Sequence, residues 1–318
     1  MATIAVTGIS GCLGRNLLAQ LEVDPEVDLV LGLDVAAPPP GARKLVFARR
    51  CVGEPFAELW AEHGVDVGIH LAFDAAERDP ARREAINVGG ARNFLAACAA
   101  AGAATVTLVS SGEVYGPRVD APLLFEASAL AAPLDYGPAR DKLRAEELCF
   151  EFAKDNPEVQ LQIVRPCPVV GGPSANPIVR LCESPLLLGP RHLDPAFQFL
   201  HVDDATRALY RLVKRGETGI FNLAAEGRLT LSQVAQLSER RLLRLPLFAL
   251  RLLMRLGWRL GLEWLAPAPP SYLDYWVHPG WLVGTKLQHE TLFSGRYDSG
   301  EAYLAHLEAA AEAARPAE

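Results

Sequence analysis

Gly8, Gly11 and Gly14 stand at the spacing G-x-x-G-x-x-G, directly after the apolar run Ile4-Ala5-Val6. Leu13, Leu17 and Leu21 then recur every four residues, the period of a helix. The glycines therefore fall where a buried strand turns into a helix, the setting that separates a dinucleotide site from a chance cluster. Without Cβ atoms the turn can be tight and a pyrophosphate can approach the main chain. The helix N-terminus adds free N–H groups and the positive end of its dipole. Asp34 ends the next apolar run, Leu29-Val30-Leu31-Gly32-Leu33. A carboxylate there can accept from the adenosine ribose hydroxyls and repels a 2′-phosphate. Val35 follows with no basic residue directly after it, so NAD is expected over NADP; Arg43 and Lys44 weigh the other way. A second polar cluster, Ser110-Ser111-Gly112-Glu113, closes the apolar run that starts at Thr105. A serine at the mouth of a parallel sheet can bond a substrate hydroxyl or carbonyl oxygen.

These groups need elements to hold them. Strand signals at 44–48, 65–72, 105–111, 159–165 and 219–223 alternate with helical signals at 55–63, 81–101 and 139–154. In the last of these, Ala145, Leu148, Cys149 and Phe152 share a face. Such alternation predicts an α/β fold, a doubly wound parallel sheet covered on both faces, with ligands beyond the carboxyl ends of its strands. The expected division is a cofactor-binding part over 1–170 and a smaller substrate lobe over 171–318, with residues near 201–225 returning to the first part. Within the lobe, 232–261 reads as helix interrupted near Pro246, and 300–314 as a terminal helix.

Taken with the glycine turn, the segment Val109-Ser110-Ser111-Gly112-Glu113-Val114-Tyr115-Gly116 resembles the extended short-chain dehydrogenase/reductase family of NAD-dependent epimerases and dehydratases. The resemblance continues at His70-Leu71-Ala72, Asn87-Val88-Gly89-Gly90, Arg165-Pro166 and His201-Val202-Asp203-Asp204. It implies a Rossmann fold and NAD contacts at Gly8, Ser10, Gly11, Cys12, Leu13, Gly14, Asp34, Cys51, Leu71, Ala72, Asn87 and Pro166. Cys51 stands where the family often has an aspartate that meets the adenine. Among catalytic groups it implies Ser111 beside the nicotinamide and Asn87 at a proton-relay water. Glu113 matches an acid of some dehydratases, although Gly112 lacks the aspartate usually beside it.

The family pairs a tyrosine and a lysine as Y-x-x-x-K, because i and i+4 share a helical face and the ammonium lowers the phenol's pKa. This chain reads Tyr136-Gly137-Pro138-Ala139-Arg140-Asp141-Lys142. Tyr136 places Arg140 at the lysine position, whereas Lys142 places Pro138 at the tyrosine position. Six residues span about 600° of ideal helix, so Tyr136 and Lys142 do not share a face. Pro138 suits a first turn, leaving Tyr136 just outside the helix. Three arrangements stay open: Tyr136 with Lys142 through an irregular start, Tyr136 with Arg140, or a site that has lost its tyrosine. The expected activity is NAD-dependent oxidation, reduction or epimerisation at a secondary alcohol or ketone. A redox-neutral lyase or isomerase and a nucleotide-sensing protein are the rivals.

Half of the 318 residues are apolar and the net charge is −7, which argues for a globular chain and against nucleic-acid binding. Six cysteines without a CxxC pair are expected to be reduced thiols, with no metal site and a cytoplasmic setting. Cys167 is expected to be a small core residue near the nicotinamide end. Residues 240–259 invert the charge, with six arginines and no acid. Arg251, Arg255 and Arg259 form one helical stripe, and Leu252, Leu253, Leu256 and Leu260 another. Peripheral contact with an anionic membrane, a lid over the substrate, or arginine stems lying over the core would each produce it. Trp258, Trp264, Tyr272, Tyr275, Trp276 and Trp281 favour an apolar or aromatic small-molecule substrate. A homodimer through helices near 81–101 and 139–154 is expected from the family.

Overall fold

The sheet begins with β1 (Ala2–Thr7), whose Ile4 and Val6 face one side while Ala5 faces the other. Its neighbours are β2 (Val27–Asp34), β3 (Leu45–Arg49), β4 (Val67–His70), β5 (Thr105–Val109), β6 (Gln160–Pro166) and β7 (Gly219–Leu223). All pairings are parallel, in the order β7-β6-β5-β4-β1-β2-β3. The reversal between β1 and β4 creates the crevice where ligands of doubly wound sheets bind. This computed structural model describes residues 2–120, 123–174 and 176–313.

On one face lie α1 (Cys12–Val23) and α5 (Val202–Arg215), sealed by Leu17, Leu18, Leu21, Leu209 and Leu212. On the other lie α2 (Ala57–Glu62), α3 (Pro80–Ala101) and α4 (Gly137–Asp155), packed through Trp60, Phe94, Leu95, Ala145 and Leu148. Burial of these two apolar layers is the main force holding helices to sheet. Asp79 caps α3, accepting from the Ala81 N–H, and Pro80 occupies the first turn.

A third apolar cluster builds the lobe from Val179, Phe197, Phe199, Tyr272, Trp276 and Tyr303, and it includes Tyr136. The stretch read as one interrupted helix over 232–261 is different. A helix at Leu231–Leu237 and α6 (Leu247–Leu260) flank a strand, Arg241–Leu245, that pairs with Leu186–Pro190. The partner strand lies more than fifty residues upstream, beyond the reach of a local periodicity. The terminal helix α7 spans Ser299–Ala313, so residue 314 of the predicted helix lies outside the described residues. All six cysteines are free thiols.

Candidate active site

Gly8 has φ +75°, and a Cβ on it would lie 2.6 Å from the Ala72 nitrogen. Only glycine lets the β1 turn pass so close to the end of β4. Gly14 serves the packing of α1, since its Cβ would meet the Gly8 carbonyl oxygen at 2.3 Å. Gly11 is the N-cap of α1 and offers no side chain there. The Asp34 carboxylate accepts from the Ser10 N–H at 3.0 Å and the Val35 N–H at 2.7 Å. The Ser10 hydroxyl donates to the Ala36 carbonyl. The result is a cleft of about 360 Å³ whose walls include Gly8, Ser10, Gly11, Asp34, Cys51, Leu71 and Ala72. Arg50, Phe73 and Asp74, which the motifs do not single out, line it as well. The Lys44 ammonium turns away to the Asp24 carbonyl.

At the end of β5 the chain leaves the sheet two residues earlier than expected, so Ser110 and Ser111 belong to a turn. Ser111 Oγ accepts from the Glu113 N–H at 3.1 Å and caps the short 3-10 turn Gly112–Tyr115. Ser110 donates instead to Glu146, which binds Arg165 through two contacts, 3.0 and 2.6 Å long. Arg165 also donates to the Tyr115 hydroxyl, which donates to Asn222. This fully buried network braces β6 against α4.

Tyr136 is the N-cap of α4, with Pro138 in the first turn. Its ring packs on Tyr272 and Tyr275, with centroids 5.0 and 5.4 Å away, and only 1% of the residue is exposed. Its hydroxyl faces the Glu113 carboxyl, and burial beside that acid raises the phenol well above its usual pKa. Tyr272 donates to Glu113 Oε1, and Tyr275 to the Glu113 carbonyl. Burial pushes the Glu113 carboxyl up to about 7; the tyrosine hydroxyls and the Lys142 charge oppose that shift. Lys142 donates to the Val109 carbonyl at 2.6 Å and stacks over Phe73 at 4.1 Å. Burial lowers its pKa to about 8, against the pull of Glu113 and Glu146. Ser111, Glu113, Pro166, Cys167, Asn176 and Tyr275 share a second, mostly apolar cavity.

The sequence matches the NAD-dependent epimerase/dehydratase family over residues 4–224. The chain belongs to that family. It is 32% identical over 241 residues to a GDP-6-deoxy-D-mannose reductase of Pseudomonas aeruginosa, covering 69% of this chain and 73% of that one. It is 31% identical over 249 residues to an uncharacterized protein of Mycobacterium tuberculosis, an alignment that takes in 74% of this chain. The chain spans about two thirds, 66%, of that relative's length. Among solved structures, a UDP-glucose 4-epimerase of Thermotoga maritima superposes with TM-score 0.75 at 18% identity, over 98% of this chain and all (100%) of the other. A dTDP-glucose 4,6-dehydratase of Streptomyces venezuelae gives 0.74 at 18% identity, over 98% and 97% of the two chains.

Within this family frame the remaining predicted residues divide. Arg140 does not reach the site: it is exposed and donates to the Leu134 carbonyl, because its position on α4 points to solvent. Asn87 is buried and gives both amide protons to protein, at the Asp74 carbonyl and Asp141 Oδ2, while its oxygen accepts from the Asp74 N–H. It ties the cleft wall to α4, together with Arg83, which pairs with Asp141. Leu13 packs on the core beneath α1, and Cys12 abuts Gly172. Cys167 is buried yet touches the Ser111 cavity. Tyr272 and Tyr275 carried a signal as part of an aromatic cluster, but nothing local tied them to Glu113. Arg165 stood out only beside Pro166, and nothing local tied it to Glu146.

Proposed function

We propose that this protein is an NAD-dependent oxidoreductase that interconverts a secondary alcohol and a ketone, with Glu113 as the group that exchanges the substrate's hydroxyl proton. The observation that carries this reading is the Glu113 carboxyl, pushed up to about 7, in the cavity wall beside Ser111. A general acid/base works best when its pKa lies near the working pH.

The cleft fits the cofactor on three counts. Gly8 clears the approach to the main chain, Gly11 leaves the α1 N-terminus bare, and Asp34 lines the far wall. Gly8, Ser10 and Gly11 would hold the diphosphate, Asp34 the adenosine ribose, and Leu71, Ala72 and Phe73 the opposite face. Bound there, NAD would supply the hydride acceptor for an alcohol, or as NADH the donor for a ketone. Ser111 Oγ orients the substrate oxygen. Glu113 takes the hydroxyl proton in oxidation and returns it in reduction. Tyr136 and Tyr272 stabilise the Glu113 carboxylate by hydrogen bonding, and the Lys142 charge does so through space. In this reading Glu113 takes the post the family gives to tyrosine, because Tyr136 is sealed behind it.

Pro166, Cys167, Pro168, Ile178 and Leu282 make the cavity wall apolar, and Tyr275 adds an aromatic surface. That lining supports an apolar or aromatic alcohol as substrate. Incubation with NAD and a panel of such alcohols should yield NADH, followed by its absorbance, with turnover lost in Glu113→Gln. Intact NAD binding with neither NADH formed from any alcohol nor any ketone reduced by NADH would overturn this assignment.

A further inference from the structure

Helix α6 presents two faces of opposite character. Leu250, Met254 and Gly257 turn inward, and the first two pack with Tyr272, Leu273 and Trp276. Outward, Phe248 is 75% exposed, Leu252 55%, Leu256 46% and Leu260 69%. These four recur every four residues and make a continuous apolar ridge on the surface. The leucine stripe therefore does not cover the core, and the arginines do not lie over it. Arg251, Arg255 and Arg259 run along the edge of the ridge, all exposed. Arg251 meets Asp274 at 3.4 Å; among the described residues Arg255 and Arg259 have no carboxylate partner. From 240 to 262 the chain carries no acidic residue, although its net charge is −7.

We propose that the outward face of α6 docks this protein on an anionic lipid surface. An exposed apolar row would enter the acyl boundary while the flanking guanidinium groups meet the headgroup phosphates. Charge complementarity selects this occupant. A second copy would set one arginine row against another, at a cost in repulsion. The contact is peripheral, because among the described residues no helix is long and apolar enough to cross a membrane. Docking would hold the lobe that carries Tyr272 and Tyr275 against the bilayer. The Arg78 guanidinium, 4.1 Å from the Trp258 ring, joins the end of α6 to the cleft side of the molecule.

Flotation of the full chain tests this, with vesicles of phosphatidylcholine alone and of phosphatidylcholine mixed with phosphatidylglycerol. Binding is expected to the mixed vesicles only, and to fall with added salt. Arg255→Ala and Arg259→Ala should each weaken it about fivefold. Phe248→Ser/Leu252→Ser should abolish it while circular dichroism and thermal melting stay unchanged, since both side chains already lie in solvent. No flotation with anionic vesicles would overturn the proposal. So would equal binding of the variants, or a wild-type dimer in light scattering that these substitutions dissociate. None of these readouts depends on turnover.

Discussion

The Tyr272 hydroxyl donates to Glu113 Oε1 across 2.9 Å, joining residues 159 positions apart. Through this bond the C-terminal apolar cluster meets the turn that follows β5. The carboxyl it meets has been lifted by burial to about 7, and Tyr136, Tyr272 and Lys142 each pull it back.

Glu113→Gln keeps the volume and removes the titration. Turnover should fall by at least ~10²-fold if Glu113 exchanges the proton. Calorimetry should find NAD binding unchanged, because Glu113 lies outside the cleft that holds Asp34.

Tyr136→Phe separates the two candidates for the proton. The Tyr136 hydroxyl lowers the Glu113 pKa, so its loss raises that pKa above about 7. Oxidation requires the carboxylate, so the ascending limb of the kcat/KM profile should move to higher pH, with the plateau rate largely kept. A drop of ~10²-fold across the whole profile would assign the proton to Tyr136 instead.

Lys142→Met and Arg140→Ala should part company. Lys142 is buried against Phe73 and Val109, and its charge holds Glu113 down. Its loss should carry the same pH limb upward and lower turnover at neutral pH. Arg140 is exposed on the far side of α4, and steady-state rates of its alanine variant should stay within about twofold of wild type.

Gly8→Ala would place a Cβ 2.6 Å from the Ala72 nitrogen at a positive φ. Both the turn and the approach to the main chain suffer. NADH affinity should drop by more than about tenfold in calorimetry, which is ~1.4 kcal/mol.

Arg165→Leu should cost about 3–5 kcal/mol in urea denaturation, because Glu146 would remain buried without its partner. The double variant Glu146→Leu/Arg165→Met should recover part of that loss, since no charge is then stranded.

The glycine turn, Asp34 and the order of strands and helices were legible in the chain alone. Each depends on neighbours within about a helix's length: a strand's run, a helix's period, a glycine's missing Cβ. Tyr136 outside its helix was legible for the same reason, since Pro138 sets the first turn locally. The strand at Arg241–Leu245 was not, because its partner lies at Leu186–Pro190.

Periodicity tells which side chains share a face, but not which face meets the core. Arg140 and the ridge of α6 turned on that difference, for the angle between residues is local and the direction of burial is a property of the packed whole. Tyr272 and Tyr275 reach Glu113 from a segment more than a hundred residues away, brought there by the C-terminal apolar cluster. Local spacing was enough to read the glycine turn and to single out Glu113 as an acid at the end of β5. That Tyr136 and Tyr272 close over its carboxyl, and that burial lifts it to about 7, follows from packing between segments far apart in the chain.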